Sequence, residues 1–112
     1  MGDKKHLGEF EQLVLLAILQ LRDEAYGMKI RLEIKTRANR LTSLGAIYTT
    51  LERLEAKGLV SSRVGDPTPE RGGRAKKFFK VEASGQRALR DACKAAVKMA
   101  SGLPLPILGG VQ

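Results

Sequence analysis

The chain has 112 residues, a formal net charge of +8 and a hydrophobic fraction of 43%. That length suits one domain with a modest core and is too short for two, and the apolar share is that of a folded chain rather than a disordered one. One Cys excludes an internal disulfide, and one His with no Cys, Asp or second His at ligand spacing leaves no metal motif.

The charge is unevenly placed. Lys29 to Arg40 holds five cations and one acid, Glu70 to Lys80 repeats that tally, and these two stretches carry the whole excess. If they converge in space they form a surface for a polyanion. The apolar run Leu13 to Leu21 is interrupted by Gln20 and is far too short to span a bilayer. The opening residues MGDKKHLGEFEQ lack a secretory apolar region. A cytoplasmic protein without a membrane partner is the expectation.

Residues 1–7 read as a leader, and the first helix as roughly Gly8 to Leu21. Apolar residues lie nearly all round this helix, so it needs cover on several sides. The expectation is a core helix that also lends Leu13 and Leu16 to a partner subunit. RDEAYG is a connector, and a second helix follows from about Tyr26 to Thr36, with Ile30 and Ile34 inward. Lys29, Arg31 and Lys35 project from it.

Thr42 or Ser43 can cap a third helix from Leu44 to Lys57, which ends at Gly58. Leu44, Ile47, Leu51 and Leu54 line its inner face, while Gly45, Tyr48, Thr49 and Arg53 lie on or beside the outer one. The period then changes. LVSSRVG and AKKFFKV alternate as strands around the turn-rich DPTPERGGR, with Phe79 and Val81 on one face and Lys76, Phe78 and Lys80 on the other. Beyond the hairpin, Leu89, Ala92, Cys93, Ala96, Val97 and Ala100 form a helical stripe of mostly small residues. This segment, 83–102, is expected to be a dimerisation helix, with Ser84 as the candidate cap. Residues 103–112 form a tail that Pro104 and Pro106 keep from being helical.

Three helices followed by a hairpin give a mostly α fold with a β-hairpin (α+β), the order of a winged helix-turn-helix over 8–82. The third helix is then the recognition helix. Tyr48, Thr49 and Arg53 are its candidate readers of bases or backbone, with Gly45 allowing close approach and Thr42 and Ser43 near a phosphate. Arg71, Arg74, Lys76 and Lys77 at the wing are candidates for phosphate or minor-groove contact, and Gly72 and Gly73 let the tip bend. Lys29 is a further candidate phosphate contact.

With AYGMKI, SLGAIYTTLERLEAKGLV, ERGGRAKKFFKV and SGQRAL in that order, the chain resembles the PadR family of bacterial transcriptional regulators from about Leu7 to Ala100. The resemblance implies a homodimeric winged-helix repressor that binds double-stranded DNA and has its C-terminal helix in the dimer contact. The short C-terminus is similar to the smaller subfamily with a single such helix. Two positions depart from the family pattern: Glu82 stands where a Thr is usual before the last helix, and Phe78 and Phe79 where paired tyrosines are frequent. The absence of Trp leaves the family's ligand-stacking mode without its aromatic walls.

No enzyme site and no cofactor are expected. A small-molecule effector acting at the dimer contact fits the over-apolar first helix and the stripe on the last. Two other readings compete with DNA regulation. One is a protein–protein module on the same scaffold, and the other is an RNA binder, for which Tyr48 and Phe78 are the only candidate stacking aromatics.

Overall fold

A computed structural model describes residues 6–65 and 75–104. Its elements are α1 (Glu9–Leu21), a short 3-10 turn (Arg22–Glu24), α2 (Gly27–Ala38), α3 (Leu44–Ala56), β1 (Val60–Val64), β2 (Lys77–Val81) and α4 (Ala83–Ala100). The strands pair antiparallel, with Val60 opposite Val81, Ser62 opposite Phe79 and Val64 opposite Lys77. The expected order of three helices, hairpin and final helix is the order found.

The core lies where α1, α2 and α3 meet the hairpin. Val14, Leu15, Ile30, Ile47, Leu51, Leu54 and Leu59 are almost fully buried, and Phe79 and Val81 close the hairpin onto them. Period-two alternation sends those two residues inward together, as expected for a half-buried strand. Leu7 is also buried against this core.

α1 does not bury its whole circumference. Val14, Leu15, Ala17 and Ile18 are inside, Leu13 packs at the edge, and Leu16 and Leu19 remain 40% and 41% exposed. α2 runs two residues past the expected Thr36, because Asn39 takes a left-handed cap at φ 52°. Asn tolerates that region better than most residues do. Of the two expected caps for α3, Ser43 does the work: its hydroxyl accepts the Ala46 N–H at 3.0 Å. Gly58 follows the helix at φ +75°, where glycine has no Cβ penalty.

The expected cap of α4 is corrected. Glu82, not Ser84, is the N-cap residue, and it makes no side-chain capping bond. The Ser84 hydroxyl donates instead to the Gly58 carbonyl at 2.8 Å, tying the start of α4 to the end of α3. Glu82 meanwhile accepts from the Ser61 hydroxyl.

Arg22, which ends α1, lies at φ 54°, ψ −118°. A residue with a Cβ is strained there by about 1–3 kcal/mol. Arg22→Gly is therefore expected to raise the thermal midpoint, or at worst leave it unchanged. A clear fall on thermal melting would show that the Arg22 side chain contributes more than the strain costs.

An ion pair between a buried carboxylate and a half-buried ammonium links α1 to the end of α3. Glu11, 6% exposed, accepts the Lys57 ammonium at 3.0 Å and 3.2 Å and the Gly8 N–H at 2.9 Å. Lys57 also donates to the His6 carbonyl at 3.2 Å. Burial alone pushes the Glu11 carboxyl up, but the Gly8 N–H, the Lys57 ammonium and the nearby Arg53 outweigh it and hold it below its ordinary value.

Candidate nucleic-acid interface

α3 turns Ile47, Thr50, Leu51 and Leu54 into the core, which leaves Gly45, Tyr48, Thr49, Glu52 and Arg53 outside. This is the outer face expected for a recognition helix. Around Gly45 there is open space: a Cβ built there meets only the Ser43 hydroxyl oxygen, at 3.9 Å. Thr42 is half-buried, and Ser43 is exposed at the helix entrance.

Glu52 escaped the sequence reading, which weighed cations and passed over an acid on the same face. Its position, three and four residues beyond Thr49 and Tyr48, was the available signal. A carboxylate there can accept from the cytosine amino group in a major groove, so the face offers both signs of hydrogen-bonding chemistry.

The root of the wing is a stack of cations on aromatic rings. The Arg63 guanidinium lies 4.7 Å from the Phe78 ring centre, the Lys76 ammonium 5.2 Å from that of Tyr26, and the Lys77 ammonium 5.8 Å from that of Phe79. Such contacts hold a long side chain in place while its charged end stays available to solvent. Arg63 is the second residue the sequence reading missed. Its signal was the strand register, which sets it opposite Phe78. Lys76 precedes β2 rather than belonging to it, and its carbonyl accepts the Gly65 N–H at 2.7 Å. Arg71, Gly72, Gly73 and Arg74 lie outside the described residues.

The first cationic stretch is largely engaged within the protein. Lys29 sits 3.7 Å from Glu24, Arg37 pairs with Glu33, and Arg40 meets Glu9 at 2.9 Å while stacking on Phe10. Arg31 donates to the Thr42 carbonyl at 2.8 Å, bracing the turn between α2 and α3. Lys35 has no ion-pair or hydrogen-bond partner among the described residues. Exposed pairs of this kind are worth about 0–1 kcal/mol, so a phosphate can recruit their cations at small cost.

The residues expected at a dimer contact divide into two groups. Leu89 is buried in the chain's own core, and Leu13 packs against that core. Cys93, Ala96 and Val97 are exposed, Ala92 and Ala100 are half-buried, and Leu16 faces outward on α1. Beyond Leu89 no residue of α4 is fully buried. Among the described residues, none fully buries the apolar stripe on the second half of this helix.

Among the described residues, no group of three His, Cys, Asp or Glu side chains is placed to hold a metal, and no helix is long and apolar enough to cross a membrane.

Three helices with an exposed third-helix face, braced by a two-stranded hairpin, define a winged helix-turn-helix. The chain belongs to the transcriptional regulator PadR-like family, whose model matches residues 15–91. Solved structures agree on the fold. A PadR-like transcription factor from Bacteroides fragilis superposes with a TM-score of 0.64 at 23% identity, over 80% of this chain and 82% of that one. A PadR family transcription regulator from Clostridium difficile gives 0.65 at 24% identity, over 89% and 99%. Bacillus subtilis PadR, solved in complex with operator DNA, gives 0.62 at 19% identity over 76% of this chain and 46% of its own length. No curated protein sequence matches the chain.

Proposed function

We propose that this chain is a sequence-specific, DNA-binding transcriptional regulator that works as a homodimer and represses by occupying a promoter. The observation that carries the reading is the outer face of α3, where Tyr48, Thr49 and Arg53 are exposed on a helix whose other side is fixed in the core. Arg53 can bond a guanine edge bidentately, and Thr49 can meet a thymine methyl or a phosphate. Lys76, Lys77 and Arg63 at the wing root, and Lys29 on α2, supply backbone contacts, which position the protein without reading sequence. The wing-tip residues Arg71 and Arg74, with Gly72 and Gly73, extend the same reading. The operator complex of the Bacillus subtilis relative supports it.

The dimer reading rests on the half of α4 that no described residue fully buries, with Ala92, Cys93, Ala96, Val97 and Ala100 meeting the partner, and on Leu16 of α1. A two-fold then sets two recognition helices against half-sites about one helical turn apart. A small-molecule effector bound at that contact acts by changing the spacing of the two α3 helices.

The test is fluorescence anisotropy with a duplex from upstream of the protein's own gene and a shuffled control, across a salt series. The native duplex is expected to bind more tightly, with affinity falling steeply as salt rises. Arg53→Ala is expected to weaken native binding by about tenfold and the shuffled duplex far less. Unchanged binding by Arg53→Ala and Thr49→Ala would favour a protein-partner module built on the same scaffold.

A further inference from the structure

Three consecutive residues, Ala25, Tyr26 and Gly27, join the wing to the recognition helix. The Ala25 carbonyl accepts the Phe79 N–H at 2.8 Å. Tyr26 forms an antiparallel bridge with Phe78, and their rings meet edge to face at 5.6 Å. One residue further on, the Tyr48 ring covers the Gly27 backbone. A Cβ at position 27 would stand 2.5 Å from both Cζ and Oη of that ring.

Gly27 opens α2, and its φ lies outside the left-handed region, so the backbone makes no demand for glycine there. What does demand it is the space the Tyr48 ring occupies. The clashing atoms are the far end of a side chain that can rotate, not backbone. Any larger residue at 27 therefore displaces the ring before it disturbs the fold. The ring is 41% exposed and lies on the outer face of α3.

We infer that Gly27 is a positioning residue for DNA specificity: lacking a Cβ, it leaves the space in which the Tyr48 ring lies, beside the Ala25 and Tyr26 contacts to the wing strand. Gly27 itself is buried, so its effect is carried by the Tyr48 ring that lies over it. The inference rests on the reading of Tyr48 as a DNA-contacting residue, so its test must separate the two.

Gly27→Ala, Tyr48→Ala and the double variant are compared as full-length proteins. The probes are duplexes selected by the wild-type protein from a randomised pool, together with their single-base variants. Gly27→Ala is expected to reduce discrimination at one position of the selected site by about tenfold, leaving the salt slope unchanged. Tyr48→Ala is expected to lose the same discrimination, and the double variant to lose no more than Tyr48→Ala alone. With two tyrosines and no Trp in the chain, ring resonances in NMR give a readout free of DNA: those of Tyr48 move in Gly27→Ala while those of Tyr26 hold.

Wild-type discrimination in Gly27→Ala, with loss in Tyr48→Ala, overturns the inference and spares the reading of Tyr48. Wild-type discrimination in Tyr48→Ala overturns both. A Gly27→Ala protein that fails to fold, with folding restored in the double variant, also overturns the inference. The ring would then be locked by packing, and Gly27 would serve stability alone.

Discussion

Gly85→Ala is expected to lower the unfolding free energy by about 2 kcal/mol, against the usual benefit of alanine in a helix. Gly85 lies in the first turn of α4, buried against the turn that precedes β1. A Cβ there would stand 2.3 Å from the Leu59 carbonyl oxygen and 2.9 Å from a Val81 methyl. The oxygen belongs to backbone that is already engaged, since it accepts the Glu82 N–H at 2.9 Å. It cannot swing aside as a side chain does, so α4 must lift or the β1 entry must bend. Overpacking of this kind costs about 1–3 kcal/mol and sometimes more, and the contact with fixed backbone puts this case at or above the upper end. The gain in helix propensity, about 1 kcal/mol, offsets only part of it. Urea unfolding should show a lower midpoint with an unchanged slope. An unchanged midpoint would mean that α4 is not seated on Leu59 as described.

Lys57→Met is expected to cost about 2 kcal/mol at neutral pH, because it strands a buried carboxylate. Complete loss of a partner for a buried charge costs about 3–5 kcal/mol, but Glu11 keeps the Gly8 N–H and the field of Arg53, which lowers the expected figure. The pH dependence has a definite sign. The Glu11 carboxyl is held below its ordinary value in the folded protein. Its contribution is therefore present in full above the ordinary value it has in the unfolded chain, and is lost as pH falls through the lower, folded value. In Lys57→Met that contribution is reduced or reversed from the start. The gap between variant and wild type should thus be widest near neutral pH and narrow as the solution becomes acidic. Thermal melts at several pH values would measure it, and a gap that widened on acidification would contradict the pair as described.

Much of the architecture was legible because it is periodic. Ile47, Leu51 and Leu54 recur at helical spacing and are buried, and Phe79 and Val81 alternate as a strand does and point inward together. The outer face of α3 follows from the inner one by subtraction, which puts Gly45, Tyr48, Thr49 and Arg53 outside. What local pattern cannot carry is a contact between distant segments. Glu11 and Lys57 meet across 46 positions, Tyr48 rests on Gly27, and Arg31 reaches the Thr42 carbonyl. Each depends on how helices are set against one another, which no period records. Arg31 also shows why charge counts mislead. The sequence reads it as one more outward cation, whereas its guanidinium braces a turn.

The cap of α4 failed for a related reason. A hydroxyl near a helix start usually bonds within its own turn. Ser84 had the Gly58 carbonyl within reach and bonded across the fold instead. The wing root was half legible. Strand alternation placed Phe78 on the outer face, but Arg63 over its ring follows only from the pairing register.

The second half of α4, which no described residue fully buries, bears on when the chain is fully folded. Among the described residues, only Gly85 and Leu89 of that helix are fully buried. A helical segment without packing has to rely on its own propensity, and in water a short one is marginal. On the dimer reading, the last turns of α4 gain their packing only when a second copy arrives, so protein abundance enters the folding equilibrium by mass action. Newly made, dilute chains would carry a formed winged helix and a fraying end. On that reading, the same step that completed the helix would also pair two copies of α3. The chain's ability to hold a promoter would then rise more steeply than its concentration.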